Sequence, residues 1–338
     1  MESMKLVCDK IEAEQGSKSR GFVSFSAGVG SVVRIPVVLI NGQKDGPILG
    51  ITGGVHAAEF SSIQAAIELS REIDPKKLTG GLVIFPIVNV PAFEGIQERF
   101  NPLEWPGLFN SATQIPGDPD GTHTARFVNL VYTTMRKQCQ YVIDLHGGEP
   151  SEWINYHAVL FPQVGDEKVD KMTVTLARCF PDARLVVTKD PRSQYTGNEY
   201  PKNGIPYIVS EAGSAGFIQE EAVTFHKSGV LNFMRHLGMI EGKANLMPEP
   251  KKLPNFTDDI KTITAPTGGI YYPAVKAGQK VAKDQLLATI RDAFGDTVNE
   301  LRSPMRSVVM YIRTYPPVRP GDFIMQILSL DGTLEGLE

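Results

Sequence analysis

In the stretch GGVHAAEF a histidine and a glutamate, His56 and Glu59, stand three residues apart behind a pair of glycines. Residues at i and i+3 lie on one side of a helix, so an imidazole nitrogen and a carboxylate oxygen at this spacing can converge on one cation. An acidic residue in the first turn of a helix is also favoured by the helix dipole in any protein, so the pair alone has a purely structural reading too. A further imidazole, His146, closes the apolar run YVIDL and is followed by two glycines that leave room for a metal and a substrate. Together His56, Glu59 and His146 form a two-histidine, one-carboxylate set, which suits Zn2+ with a fourth position left for water. A closed structural site would want a fourth protein ligand, usually Cys, and none falls near this pattern; the open position points to catalysis. His123, His157, His226 and His236 read as structural or surface residues.

These groups can act together only if the fold gathers them. PILGIT, GLVIFPIVN, YVIDL, ARLVVT and IPYIVS read as buried strands, and FSSIQAAIELSREI, TARFVNLVYTTMRKQ and KVDKMTVTLARCF as helices. The alternation predicts an α/β core with a mainly parallel sheet flanked by helices, in which ligands gather at the carboxyl ends of the strands. His56 and Glu59 follow PILGITGG, Asn89 ends GLVIFPIVN, His146 follows YVIDL and Glu211 follows IPYIVS. Strand ends therefore carry several groups able to share one cleft. Past residue 245 the texture changes: a proline-rich polar segment, 246–258, reads as a linker between a catalytic domain, 1–245, and a small all-β domain, 259–338.

The chain has 338 residues, 42% of them hydrophobic, enough for a substantial core, and a formal charge of −4 with both signs interspersed. That balance offers no broad basic surface for nucleic acid or anionic lipid. There is no apolar run long enough to span a membrane and no signal-peptide pattern, which together predict a cytoplasmic protein. Cys8, Cys139 and Cys179 follow no metal-ligand spacing and suit buried free thiols.

Taken in order, GGVHAAE, VNVPAF, PGDPDGT, DLHGG and SEAG resemble the succinylglutamate desuccinylase and aspartoacylase family, relatives of the zinc carboxypeptidases, over roughly residues 45–330. The resemblance implies a zinc-carboxypeptidase-like fold, one Zn2+ per chain on His56, Glu59 and His146, and hydrolysis of an amide, or an ester, of a small N-acyl amino acid or related N-acyl amine. It implies that Glu211 carries the proton from the attacking water to the leaving amine and that Arg99, in QERFNP, steadies the developing oxyanion. Asp144, two residues before His146 and so on the same side of the strand, is placed either to orient ligands from behind, with Asn89 as a further supporting residue, or to serve as a buried hydrogen-bond acceptor.

One feature departs from the family. Members acting on N-acyl amino acids carry an Asn-Arg pair that grips a substrate carboxylate, whereas GLFNSATQIPGDPDGT has Ala112 and Thr113 at the matching positions. Asn110, Arg126 and Arg192 are the candidate replacements. The terminal segment also resembles a biotinyl or lipoyl carrier barrel, yet IRDAFGDTVNEL holds no lysine for attachment, so the barrel is read as reused to shape the cleft or to make homo-oligomer contacts. Alternatives to the deacylase are a metallocarboxypeptidase acting on peptides, which the missing pair disfavours, and a carrier or binding protein.

Overall fold

The computed structural model of the chain describes residues 5–26, 29–30, 32–97, 101–104, 115–160, 165–181, 184–187, 199–249 and 258–330. A hairpin of β1 (Leu6–Cys8) and β2 (Ile11–Ala13) precedes β3 (Ser17–Ser26) and β4 (Val32–Asn41), which pair antiparallel from end to end. The next strand, β5 (Lys44–Gly53), is buried from Ile48 to Gly53, as a continuous apolar run in mid-sheet requires. Then follow α1 (Phe60–Glu72), β6 (Thr79–Phe85), α2 (Val90–Glu94), α3 (His123–Gln138), β7 (Tyr141–His146), β8 (Glu152–Ile154) and β9 (His157–Leu160). The segment closes with α4 (Glu167–Ala177), β10 (Arg184–Val187), α5 (Glu199–Lys202), β11 (Tyr207–Glu211) and α6 (Glu220–His236). The apolar run GLVIFPIVN is strand only as far as Phe85, because Pro86 cannot donate to a ladder. Asn89 is thus not a strand end: it is the N-cap of α2, its Oδ1 accepting from Ala92 N at 3.3 Å.

Eight strands form one sheet in the order β10-β9-β11-β7-β5-β6-β4-β3. Its centre is parallel, β11 with β7, β7 with β5 and β5 with β6, and so is the pair β10–β9. The pairs β9–β11, β4–β6 and β3–β4 are antiparallel. The expected mainly parallel sheet is therefore corrected to a mixed one, since a buried apolar run encodes that a strand is covered on both faces but not its direction.

Alternation along the strands divides the core in two. Leu49, Ile51, Ile143, Leu145 and Ile208 face Leu69 of α1, Leu176 of α4 and Phe233 of α6. Val142, Tyr207 and Val209 face Phe127, Val128 and Val131 of α3 and Tyr200 of α5. Asp144 and His146, in phase with Val142, lie on this second side. Cys8, Cys139 and Cys179 are free and buried, matching expectation.

The C-terminal strands are antiparallel throughout: β12 (Ile260–Thr264), β13 (Gly269–Pro273), β14 (Lys280–Val281), β15 (Leu286–Arg291), β16 (Thr297–Arg302), β17 (Ser307–Arg313), β18 (Pro317–Val318) and β19 (Phe323–Ser329). They form two sheets, β12-β19-β17-β14 and β16-β15-β13-β18, around a shared cluster that includes Leu287, Ile290, Val309 and Ile327. The first sheet also takes in β8, which pairs with β17. Nearby, Tyr311 Oη donates to His157 Nε2 at 3.2 Å; His157 Nδ1 lies 2.7 Å from the Asn155 carbonyl, which fixes it as the protonated nitrogen. The C-terminal strands are thus hydrogen-bonded to the first part of the chain. Of the segment 246–258, residues 250–257 lie outside the described ones, while Met247 is tied to Arg178 through its N–H at 2.8 Å and its carbonyl at 2.7 Å. Among the described residues no helix is long and apolar enough to cross a membrane.

Candidate metal centre

Gly53 and Gly54 turn the chain out of β5. Gly54 has φ +61°, a left-handed value that favours glycine, and the turn is tied to the segment after β6 by Val88 N to Gly53 O at 3.0 Å and Asn89 N to Gly54 O at 2.9 Å. This puts His56 just past the carboxyl end of β5 and Glu59 at the N-cap of α1, where its side chain makes no capping hydrogen bond. The carboxylate instead faces the imidazoles: Oε1 is 2.7 Å from His56 Nδ1 and Oε2 is 3.0 Å from His146 Nδ1. A carboxylate serving only the helix would turn to its free N–H groups, so the purely structural reading of Glu59 does not fit. The two rings meet edge-on at 4.8 Å, and one ligand atom from each of the three residues lies within 4.8 Å of the others.

All three residues are buried. Burial alone would raise the Glu59 pKa, but the His146 and His56 imidazoles hold it down at about 2. Burial likewise opposes charge on His146, yet Asp144 and Glu59 on its two sides raise its pKa well above the ordinary value. Glu59 Oε2 accepts no well-directed hydrogen bond despite its burial. An inward-facing carboxylate with an unsatisfied oxygen, between two imidazole nitrogens, fits a divalent cation, and two nitrogens with one oxygen suit zinc. These three residues make a site for one Zn2+ per chain.

Behind His146, its Nε2 lies 3.1 Å from Asp144 Oδ2. Asp144 is itself fixed: Thr52 Oγ1 donates to Oδ1 at 2.6 Å and Tyr207 Oη to Oδ2 at 2.9 Å. A carboxylate on the far nitrogen sets the tautomer and direction of a ligating histidine. We expect Asp144→Asn to weaken zinc binding roughly 10–100-fold while leaving the fold intact. Competition with a chromophoric chelator measures this, and unchanged affinity would reduce Asp144 to a core acceptor. Thr52 and Tyr207 were not legible as site residues. Thr52 sits opposite Asp144 in the β5–β7 register, so only knowledge of that pairing would have found it.

Glu211 ends β11, partly buried, in register with His146 on one neighbouring strand and His157 on the other. Arg99, Asn110, Arg192, Ala112 and Thr113 lie outside the described residues. Arg126, on α3, is engaged at the sheet's far edge: Nη1 donates to Ser26 O at 3.0 Å and the guanidinium lies 4.9 Å from the centre of the Phe25 ring. Asn89 braces the Gly54 turn through its backbone and caps α2. His157 and His226 are buried, and burial pushes both down to about 4. His226 contacts Ser210 Oγ at 2.9 Å and the Ala212 carbonyl at 3.2 Å, and it interacts with the His146 backbone from behind the cluster without being one of its three ligands.

The family description "Succinylglutamate desuccinylase/Aspartoacylase catalytic domain" matches residues 45–237. The N-alpha-acetyl-L-2,4-diaminobutyric acid deacetylase of Halomonas elongata is 26% identical over 304 residues, covering 88% of this chain and 86% of that one. A succinylglutamate desuccinylase from Silicibacter sp. TM1040 superposes with a TM-score of 0.80 at 19% identity, covering 97% of this chain and 98% of that one. The product-bound ectoine utilization protein EutE (DoeB) from Ruegeria pomeroyi gives 0.81 at 21% identity, covering 92% and 95%. At these identities the two structures establish likeness of fold.

Proposed function

The chain belongs to the succinylglutamate desuccinylase/aspartoacylase family, and from that membership and the metal cluster we propose the following account of its activity as a zinc-dependent hydrolase of N-acyl compounds. The observation that carries it is Glu59, which occupies a helix N-cap but faces two imidazoles. When bound, zinc lowers the pKa of a water and polarises the acyl carbonyl. His56, Glu59 and His146 hold it, and Asp144 keeps His146 in the ligating orientation. Glu211, beside His146 in the sheet, takes the proton of the attacking water and delivers it to the leaving amine. Arg99 is assigned, from the family resemblance, the role of steadying the charge that develops on the acyl oxygen.

The substrate is an N-acyl amino acid or related N-acyl amine, with an ester as a weaker option. The name of the Halomonas elongata relative supports an acetylated amino acid with a second amino group. Of the candidate replacements for the family Asn-Arg pair, Asn110, Arg126 and Arg192, Arg126 is the weakest because its guanidinium already serves β3. The chain is read as a catalytic domain, 1–245, a linker, 246–258, and a small carrier-like β domain, 259–338, reused for shape or homo-oligomer contacts. In support of reuse, the turn between β15 and β16 is Asp292-Ala293-Phe294-Gly295-Asp296, without a lysine. A cytoplasmic location completes the proposal.

A bidentate arginine–carboxylate contact gives both energy and geometry, so its loss weakens binding of a charged amino-acid carboxylate. Acetylaspartate and succinylglutamate should therefore be poor substrates. The test compares kcat/KM for these two, their carboxamide analogues and N-alpha-acetyl-L-2,4-diaminobutyrate, with a peptide alongside. Efficient hydrolysis of either free acid with its amide rejected would show that another cation has replaced the pair. Peptide cleavage alone would make the protein a carboxypeptidase.

A further inference from the structure

The loop after Glu211 is held from two sides, each next to a metal ligand. On one side Ala212 N donates to His146 O at 3.1 Å and Gly148 N to Gly213 O at 2.8 Å. On the other stands Ser61, two residues beyond Glu59 and 1% exposed, whose Oγ donates to Phe217 O at 3.0 Å and accepts from Gln219 N at 3.0 Å. The near half of the loop is also tied to the β8 segment, Ala215 N donating to Glu152 O at 2.8 Å and Ile154 N to Ser214 Oγ at 3.0 Å, whereas residues 217–219 are joined to α1 through Ser61. Gly213, Ala215 and Gly216 all have left-handed φ values, +99°, +54° and +64°, and Phe217 and Ile218 are 65% and 62% exposed, so apolar burial does not anchor its far half. Gly213 also lets the loop close on Ser61: a Cβ there would stand 2.8 Å from Ser61 Oγ.

We propose that Ser61 is a positioning residue for Glu211, joining the loop that leaves this glutamate to the helix that presents the metal ligand Glu59. The inference rests on the reading of Glu211 as proton carrier. Ser61 hydrogen-bonds the loop and not the metal cluster; its hydroxyl satisfies one carbonyl and one N–H of the loop at once, so its removal frees the far half, residues 217–219, without emptying the site.

The test uses the full chain with zinc, in four forms: the parent, Ser61→Ala, Glu211→Gln and the double variant. The kinetic probe is whichever compound of the panel above the parent turns over fastest. Ser61→Ala should keep its zinc, raise amide hydrogen exchange across residues 217–219 roughly 10-fold, and lower kcat by about the same factor with KM nearly unchanged. In the Glu211→Gln background the same change should leave the residual kcat where it was, because residues acting as one unit are not additive. Gly213→Ala, which crowds Ser61 directly, should reproduce the loss of kcat if the clamp is correct. Unaltered exchange in Ser61→Ala, or an equal loss of kcat in both backgrounds, overturns the inference while leaving Glu211 in place. Near-normal turnover of Glu211→Gln by itself removes the reading beneath it, and the inference with it.

Discussion

His146→Ala should leave the purified chain almost without zinc, where the parent carries about one equivalent. Three side chains make the site, and two of them, His56 and Glu59, come from one short stretch beside α1. His146 is the ligand from across the sheet, so its loss leaves zinc with two neighbours in sequence and no opposing group. Two protein ligands hold zinc poorly. The change also leaves Asp144 without the ring it orients and Glu59 with a single imidazole. His146→Gln, closer in volume, should lose the metal as well, which separates coordination from packing. Elemental analysis after dialysis, with circular dichroism to verify the fold, decides the matter. Full zinc content in both variants would show that His146 is not a ligand.

Glu211→Gln should retain zinc and lose roughly 10²–10⁴-fold in kcat, the usual range for removing a general base. Glutamine keeps the length and shape of the side chain, so the end of β11 and its register with His146 should survive. What it lacks is the ability to accept a proton, and the loss should therefore fall on turnover more than on substrate affinity. Zinc content, KM and kcat on one preparation separate these effects. Turnover near that of the parent would take Glu211 out of the mechanism and return it to the role of a strand-end carboxylate.

The sequence by itself determined what was local. The glycine turn, the His56-x-x-Glu59 spacing, the helices FSSIQAAIELSREI and TARFVNLVYTTMRKQ, and the buried strands that became β5, β7 and β11 are set by periodicity, turn residues and spacing within a few residues. His146 and Glu211 are both conspicuous as ionisable residues at the ends of apolar strands, and the family resemblance alone gives Glu211 its expected role. Tertiary structure decided what depends on which strands become neighbours. Whether Glu59 serves its helix or a cation is settled by imidazoles on either side of it, and one of these arrives on β7. Asp144 had two equal readings in the sequence; Thr52, 92 residues away, and Tyr207 fix it behind His146. The direction of β9, the pairing of β8 with β17 and the diversion of Arg126 to Ser26 and Phe25 are of the same kind. A pattern of buried positions records that a face is covered, but not what covers it: the covering group is chosen by the packing of the whole chain, and a site assembled across strands inherits that choice.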